Sequence, residues 1–382
     1  MQARVSSHHL NISTANVPGA SVAPKWDTRP ARHPGLRHLE AVSFNRTMIE
    51  TISRDRLVGL LQAAADQRVA IVGDAMLDVY LQGDVERISP EAPVPVVRVR
   101  ERRLALGGAA NVAQNVMAVG ATCELVAAIG ADDGGRLIKE MLASIDAETR
   151  GLVEVERRTT TKTRVIARSQ QMVRFDEEED AELTEAEIER IVERVRAAVE
   201  SADAVVLEDY NKGLLAPAVI RAAIDAAGLV AIPVIVDPKY RNFFSYRGAT
   251  VFKPNRRELE AALGADVDIE HPEALPASLK RLGVEHLLLT LGEQGMVLIS
   301  DDGEVGRVPT TAREVYDVVG AGDTVTAYLA TTMAAGATPA EASVIANFAA
   351  GVEVGKLGAA TATPAEVIDA YDAFHLVRDA VV

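Results

Sequence analysis

The sequence predicts an α/β fold in three layers, with a central, mainly parallel sheet, helices on both of its faces and a small β-lid. Short runs of consecutive apolar residues alternate with helical segments, and strands that are apolar on both faces are typical of a covered parallel sheet. Two further stretches alternate apolar and polar residues, as half-exposed strands do. The 382 residues are 48% hydrophobic and 25% charged, which provides a sizeable core and excludes disordered, collagen-like and disulfide-scaffold classes.

The chain is expected to begin with a poorly ordered extension. Residues 1–50 contain four of the seven histidines, several prolines and no sustained hydrophobic period. The folded domain is expected to occupy residues 51–382. It opens with a helix capped by Ser53 and continues into a short buried strand at residues 69–73.

Later strands and helices alternate along the chain. Strands are predicted at residues 123–129, 204–207, 232–236 and 286–290, and helices at residues 185–200 and 217–227. A threonine followed three residues later by glutamate predicts helix starts at Thr184, Thr338 and Thr363. The alternating stretches, residues 79–100 and 163–175, predict the β-lid, which would cover a ligand or contact a second subunit.

Charge and cysteine content limit the partners and the compartment. With 40 basic and 55 acidic residues the formal net charge is −15, the wrong sign for binding nucleic acid or an anionic membrane by overall charge. An anionic ligand therefore needs a local site. The single cysteine, Cys123, excludes an intramolecular disulfide and is expected in a buried strand. No apolar stretch has the length of a membrane span and no signal core is evident, so a cytoplasmic protein is expected.

The most specific motif is the glycine-rich segment 317–323, which leads directly into a predicted helix. Its backbone N–H groups can converge on an anion, and the positive end of the helix adds to the attraction. Asp323 either complements the helix dipole or takes a proton from a hydroxyl group while the segment stabilises the developing charge. Two other phosphate-binding motifs are excluded. Residues 351–356 are one residue short of a P-loop, and Val325 stands where a dinucleotide-binding fingerprint has its third glycine. An NAD-dependent dehydrogenase is thus disfavoured.

A second set of polar and glycine residues is expected to face a small ligand. Gly107 and Gly108 precede a helical stretch that carries Asn111, whose amide offers both a donor and an acceptor. Asp74 and Asp78 follow the first strand, at the sheet edge where α/β proteins place ligands. The alternative is that these residues only form turns and caps.

Four motifs occur in the order found in the ribokinase-like, or PfkB, family of sugar kinases, and the resemblance covers about residues 67–375. They are Gly107-Gly108 with Asn111, Lys253-Pro-Asn255-Arg-Arg-Glu258, Thr290-Leu-Gly-Glu-Gln-Gly295 and Asp317-x-x-Gly-Ala-Gly-Asp323. The resemblance implies a ribokinase-like fold and ATP as phosphoryl donor. Asp323 would be the general base, and the N–H groups of Gly320, Ala321 and Gly322 would form the anion hole.

The resemblance also implies the remaining ligand contacts. Asn255 and Glu258 would hold Mg²⁺ through water, and Asp317 would contribute to a monovalent-cation site for K⁺. The nucleotide would contact Thr290, Gly292, Gly295, Asn347, Gly355 and Gly358. The sugar hydroxyls would contact Asp78, Gly107, Gly108 and Asn111, with Asp74 as a further candidate.

Within the family, residues 87–97, 209–213, 237–239 and 355–358 resemble the branch that phosphorylates D-glycero-β-D-manno-heptose 7-phosphate at O1. The resemblance implies synthesis of heptose 1,7-bisphosphate, a precursor of ADP-heptose for lipopolysaccharide, with a separate adenylyltransferase and a homodimer formed through the β-lid. The sugar's existing phosphate needs cations, for which the candidates are Lys162, Arg164, Arg174 and Lys212. Each of these residues has the alternative of an ordinary exposed cation.

Several residues depart from the pattern of the branch. Val318 and Val319 stand where Thr or Ser is usual, and Glu208 replaces a small residue. Leu291-Gly292 is closer to the wider family. The alternatives are therefore a PfkB kinase for another sugar, sugar phosphate or nucleoside, and a binding regulator without turnover.

Overall fold

The computed structural model describes residues 52–168, 170–179, 181–269, 275–300, 303–312, 315–356 and 358–381. The predicted N-terminal extension, residues 1–50, lies outside the described residues.

A nine-stranded sheet forms the centre of the described part of the chain. Its spatial order is β13-β12-β11-β10-β9-β8-β1-β4-β5. The strands from β5 to β11 run parallel, while β12 and β13 are each antiparallel to the preceding strand, so the predicted mainly parallel sheet is confirmed. The strand bounds are β1 Arg68–Gly73, β4 Thr122–Gly130, β5 Leu152–Val155, β8 Ala204–Glu208, β9 Val234–Asp237, β10 Val251–Phe252, β11 His286–Thr290, β12 Met296–Ser300 and β13 Val305–Val308.

Helices cover both faces of this sheet, which makes the three predicted layers. One hydrophobic core lies between the sheet and α1, α2, α8 and α9, and a second core lies between the opposite face and α4, α5, α6 and α7. The helix bounds are α1 Arg54–Ala64, α2 Ala109–Val119, α3 Asp133–Ala143, α4 Glu185–Glu200, α5 Pro217–Val230, α6 Arg256–Leu263, α7 Leu275–Leu282, α8 Ala321–Ala334, α9 Pro339–Glu353 and α10 Pro364–Val381.

Local sequence signals explain where several helices begin. Ser53 accepts a hydrogen bond from the N–H of Arg56, and Thr184 and Thr338 form complete capping boxes. Thr363 exchanges the same contacts with its glutamate at the start of α10. These predicted starts are confirmed. None of the helices within the described ranges is both long and apolar enough to cross a bilayer.

Helix α8 is buried around most of its circumference. It packs against α2, α9 and the sheet, so that even its threonines are buried. The hydroxyls of Thr331 and Thr332 donate to carbonyl oxygens one turn earlier, which satisfies these groups without water. The helix that follows the glycine-rich segment is therefore held rigidly by its surroundings.

The β-lid is a separate four-stranded sheet with the order β3-β2-β6-β7. Its strands are β2 Ala75–Ile88, β3 Pro95–Gly108, β6 Thr161–Ala167 and β7 Gln170–Glu177. Each predicted stretch is extended at both ends. For β2 and β3 the reason is that the root of these strands is buried on both faces and lacks the alternating pattern. Val94 is exposed, whereas Val96 and Val97 are half-buried. Further exposed apolar side chains on the lid belong to Ile88, Val99, Met172, Val173 and Phe175.

Candidate active site

Asp323 lies in the first turn of α8 and is only 5% exposed. Its Oδ2 accepts a hydrogen bond from Asn111 Nδ2 at 2.6 Å, and its Oδ1 accepts one from the Tyr210 hydroxyl at 2.9 Å. Burial raises the pKa of Asp323 to about 6, although both hydrogen bonds act in the opposite direction. The carboxylate is therefore ionised at neutral pH and more basic than an ordinary aspartate, as a general base requires.

Both hydrogen-bond donors to Asp323 are fixed by other residues. Asn115 donates to the Asn111 carbonyl at 3.0 Å and accepts from the Thr324 hydroxyl at 3.0 Å, which ties α2 to α8. Burial raises the pKa of Tyr210 well above its usual value, so its hydroxyl stays protonated and remains a donor. The orientation of the base is thus set by residues on two separate segments.

Gly320, Ala321 and Gly322 lie at the N-terminus of α8, as the sequence predicts. Gly320 has φ 101°, in the left-handed region, and no side chain caps the helix. A β-carbon at Gly320 would lie 3.1 Å from Asn111 Nδ2 and 3.2 Å from Glu353 Oε1, so a larger residue is excluded there. The Ala321 N–H makes only a long contact of 3.5 Å, to the Val318 carbonyl oxygen, and the N-terminus of α8 beside Asp323 carries the partial positive charge that attracts an anion.

A buried cluster of charged side chains lies next to Asp323. Carboxylate oxygens of Glu208, Asp237 and Asp323 all lie within 4.8 Å of one another. Lys253 Nζ donates to Asp237 Oδ2 at 2.7 Å. Although burial acts to raise it, the pKa of Asp237 is held below its usual value by the ammonium groups of Lys253 and Lys239. Burial, together with the neighbouring carboxylates of Asp237 and Asp323, raises the pKa of Glu208 well above its usual range.

A cleft of ≈ 760 Å³ opens from this cluster. Its lining includes the anion-hole residues and the predicted nucleotide and magnesium contacts Asn255, Glu258, Thr290, Gly292, Gly295 and Asn347. Gly355 and Gly358 are not part of this lining. The cleft thus brings most of the predicted nucleotide residues together with Asp323.

Asn255 and Glu258 also have a structural role. They form a complete capping box at the start of α6, and Lys239 Nζ donates to Glu258 Oε1 at 2.6 Å. Because these contacts occupy both oxygens of Glu258, an approach to a metal through water fits the geometry better than direct ligation. Asn347 donates through its side chain to the Pro309 carbonyl at 2.8 Å, which anchors α9 beside the cleft.

Asp317 closes the turn before the anion hole. It accepts hydrogen bonds from the N–H groups of Val319 and Gly358, each at 3.1 Å. Gly358 is thereby held against the glycine-rich segment. Glu353 is fully buried beside this turn, and burial raises its pKa to about 8.

The predicted sugar-binding residues surround the root of the lid. Asp78 is buried, and its Oδ1 accepts a hydrogen bond from Arg164 at 2.5 Å. An added β-carbon at Gly107 would lie 2.7 Å from Asp78 Oδ2, so this glycine allows close packing. Asp74 accepts hydrogen bonds from three backbone N–H groups of the segment 210–214. These bonds hold the segment in place and occupy both carboxylate oxygens of Asp74.

The four predicted phosphate-binding cations are all ion-paired. Arg164 pairs with Asp78, whereas the other three converge on two acidic residues at the end of the lid. Asp176 contacts Lys162 and Arg174, and Glu178 contacts Lys162 and Lys212, at N–O distances from 2.7 to 3.5 Å. We refer to these three cations and two carboxylates as the lid network.

Sequence reasoning did not assign a site role to several residues that lie beside the base. Tyr210, Asp237 and Lys253 each occur inside a motif, but only the folded chain brings them to Asp323. Their common signal is position, because each stands at or just after the carboxyl end of a parallel strand. Arg103 was also missed; its guanidinium stacks on the ring of Tyr80 at 4.7 Å and contacts Gly358.

Other protein sequences are similar to this chain over most of its length. A profile of the pfkB family carbohydrate kinases matches residues 66–366. The bifunctional protein HldE of Pelobacter propionicus is 47% identical over 313 residues, which are 81% of this chain and 64% of that protein. The bifunctional protein HldE of Rhodospirillum rubrum is 44% identical, over 82% of this chain and 64% of that protein. The chain therefore spans less than two-thirds of the length of these relatives.

Solved structures show the same fold at low sequence identity. Phosphofructokinase-2 from Escherichia coli in complex with potassium has a TM-score of 0.70 and 20% identity, over 81% of this chain and 99% of that chain. Ribokinase of Arabidopsis thaliana, complexed with ribose and ATP, has a TM-score of 0.63 and 21% identity, over 80% of this chain and 98% of that chain. The ribokinase-like fold is thus confirmed, and, since the family profile matches most of its length, the chain belongs to the pfkB family of carbohydrate kinases.

Proposed function

We propose that this kinase transfers the γ-phosphoryl group of ATP to O1 of D-glycero-β-D-manno-heptose 7-phosphate. The product is the heptose 1,7-bisphosphate, a precursor of ADP-heptose. The similarity to the bifunctional HldE proteins, between 40% and 47% identity over 81–86% of this chain, supports the heptose branch of the family.

The observation that carries the assignment to a sugar phosphate is the lid network. The segment 210–214 joins the network to the base. Tyr210 donates a hydrogen bond to Asp323, and Lys212, two residues after Tyr210, contacts Glu178. A substrate lying along this segment has its acceptor hydroxyl at Asp323 and its phosphate at the network. Three cations against two carboxylates leave a net positive charge for that phosphate.

The chemistry follows from the geometry of Asp323 and α8. The ionised carboxylate takes the proton of the anomeric hydroxyl, whose oxygen forms a bond to the γ-phosphorus as the bond to the β,γ-bridging oxygen breaks. ADP leaves with that oxygen, and the proton remains on Asp323. The N–H groups of Gly320, Ala321 and Gly322 stabilise the charge on the migrating phosphoryl group.

The cofactors are ATP, Mg²⁺ and K⁺. Asn255 and Glu258 would hold Mg²⁺ through water, and the ion would supply positive charge that neutralises the phosphates of ATP. Asp317 contributes to the monovalent-cation site. Because both of its oxygens also accept backbone N–H groups, loss of this residue would disturb the anion hole directly.

The setting of the enzyme is part of the same proposal. The exposed apolar side chains of the lid support a homodimer formed through that surface, in a cytoplasmic protein. The next step of the pathway is an adenylyl transfer, assigned to a separate adenylyltransferase. Sedimentation at micromolar concentration tests the dimer, and a monomer would contradict it.

A second candidate function is phosphorylation of another sugar, sugar phosphate or nucleoside. Glu208 favours this alternative, because a fully buried glutamic acid beside Asp323 departs from the small residue of the heptose branch.

The test is ATP consumption by purified protein with Mg²⁺ and K⁺. The panel contains the heptose 7-phosphate, fructose 6-phosphate, fructose, ribose and adenosine. A strong preference for the heptose phosphate supports the proposal. Preference for another compound would keep the chemistry and replace the substrate, and no turnover at all would favour a binding regulator.

A further inference from the structure

Glu178 lies between two cations of the lid network that come from different parts of the fold. Its Oε2 is 2.7 Å from Lys212 Nζ and 3.4 Å from Lys162 Nζ. Lys162 belongs to strand β6 of the lid, whereas Lys212 belongs to the segment 210–214, which comes after β8 of the central sheet. One carboxylate oxygen held by two ammonium groups has the contacts that an oxygen atom of a bound phosphate would have.

Both ammonium groups belong to lysines that are held in place by neighbouring residues. The backbone N–H of Lys212 donates to Asp74 at 2.9 Å, and Lys162 lies opposite Asp176 in the ladder between β6 and β7. The side chains of Lys162 and Lys212 are only 15% and 18% exposed, so each ammonium group needs an anionic partner. Without a sugar phosphate, the protein has to provide that partner itself.

The two carboxylates of the lid network differ in how firmly they are held. Asp176 lies within β7, where it is paired with Lys162 in the ladder and also contacts Arg174 at 3.1 Å. Strand β7 ends at Glu177, so Glu178 lies beyond the paired residues. Rotation about the side-chain bonds of Glu178 is therefore enough to remove its carboxylate from the network, while Asp176 stays in the ladder.

The charges of the lid network fit such an exchange. The hydrogen bond from Lys212 holds the pKa of Glu178 below its usual value, so Glu178 is an anion at neutral pH. With Glu178 in place, three cations face two carboxylates and one positive charge remains. With Glu178 withdrawn, two positive charges remain. A phosphate monoester carries about two negative charges at neutral pH, so it balances the network only after Glu178 has left.

We propose that Glu178 is an internal substitute for the phosphate of the substrate. It neutralises Lys162 and Lys212 in the sugar-free enzyme, and the phosphate of the incoming sugar displaces it. The exchange forms and breaks no covalent bond. Because the product keeps the same phosphate, the return of Glu178 to the two lysines also favours product release. This inference rests on the proposed function, which assigns the lid network to the phosphate of the sugar.

A competitor and a purely structural ion pair have opposite effects on substrate affinity. If Glu178 only fastened the lid to the segment 210–214, its loss would loosen the site and raise the KM for the sugar phosphate. If Glu178 competes with the phosphate, its loss removes the competition and lowers that KM. The expected factor is at least about threefold, as for the loss of a partly exposed ion pair.

The test measures the binding of inorganic phosphate by calorimetry. The protein is saturated with Mg²⁺ and AMP-PNP, a non-hydrolysable ATP analogue that covers the anion hole. Glu178→Gln keeps the size of the side chain, removes its charge and is expected to lower the Kd for phosphate by at least about threefold. Glu177→Gln is the matched control and leaves this Kd unchanged, because the Glu177 carboxylate contacts Arg158 at 3.7 Å, outside the lid network. Lys212→Met removes a cation of the network and is expected to raise the Kd by at least about threefold.

Steady-state kinetics provide a second readout. With the sugar phosphate that the enzyme turns over best, Glu178→Gln is expected to lower the KM by a factor similar to that for inorganic phosphate. The KM for ATP is expected to stay unchanged. The kcat is not expected to rise, because the product leaves more slowly.

The outcomes separate this inference from the proposed function. If Lys212→Met weakens phosphate binding but Glu178→Gln leaves it unchanged or weakens it, Glu178 is not a competitor, and this inference is overturned while the phosphate site stands. If phosphate does not bind, or if Lys212→Met does not change its binding, the lid network is not a phosphate site. That result would overturn this inference together with the observation that carries the proposed function.

Discussion

Replacement of Asp323 by asparagine removes the proposed base while conserving its shape. Loss of general-base catalysis lowers kcat by about 10²–10⁴, equivalent to roughly 3–5 kcal/mol of transition-state stabilisation. The assay is ADP release at saturating ATP and sugar, with ATP affinity measured separately by calorimetry. Affinity is expected to stay within about threefold, because the residue acts on the acceptor hydroxyl.

The structure also indicates that this variant folds. Asn111 and Tyr210 both donate to Asp323, so asparagine loses one acceptor, at a cost of about 1–3 kcal/mol. In return the variant avoids the cost of ionising a buried carboxyl group. With a pKa of about 6 against 3.8 for an unperturbed aspartate, that cost is about 3 kcal/mol above pH 6. The two effects are of similar size and opposite sign.

The pH dependence provides an independent check. Because the folded-state pKa of Asp323 is raised, ionisation destabilises the fold as pH rises from 3.8 to about 6, and the base is competent only above that range. The kcat/KM of the wild type is expected to fall tenfold per pH unit below about 6 and to level off above it. The groups that face the carboxyl are Asn111, Tyr210, Glu208, Asp237 and Lys253. The assignment of Asp323 as the base would be refuted if Asp323→Asn had a kcat near the wild-type value. It would also be refuted if kcat/KM of this variant still fell below about pH 6.

Four further substitutions test other parts of the site and fold. Tyr210→Phe removes a hydrogen bond that favours the ionised form of Asp323, so the acidic limb of the pH–rate profile moves to higher pH. Glu258→Gln can keep the capping box but loses a charge near the metal, so the Mg²⁺ concentration for half-maximal activity rises by about tenfold or more. Arg164→Gln leaves a buried carboxylate without its cation, so the KM for the sugar rises by about tenfold or more while that for ATP changes little. Thr184→Ala removes the cap of α4 and lowers the free energy of unfolding in urea by about 1 kcal/mol, with kcat unchanged.

The strands and helix starts could be predicted because their causes are local. The run at residues 286–290 is observed as a strand with these same bounds, and its three central leucines are buried, as the apolar run predicts. The helix caps at Thr184 and Thr338 depend on residues only three positions apart. The root of the lid was missed because burial on both faces removes the alternation by which its outer part is recognised.

The site was only partly predictable, because its contacts join residues far apart in the chain. Asp323 and its glycines form a continuous motif, whereas Asn111 reaches Asp323 across 212 positions and Tyr210 across 113. Lys253 lies in a recognised motif, yet its ion pair with Asp237 joins the ends of two neighbouring strands, 16 positions apart in the chain. Asp74 was a candidate sugar contact because of its position at the sheet edge. In the structure its carboxylate oxygens instead accept hydrogen bonds from three backbone N–H groups.

The most direct measurement of the central claim is ³¹P NMR of the product formed from the heptose 7-phosphate and ATP. The account predicts two phosphorus signals on one sugar, with the new phosphorus coupled to the anomeric proton. A new phosphate on any other carbon, or a sugar that keeps a single phosphate while ADP accumulates, would contradict it.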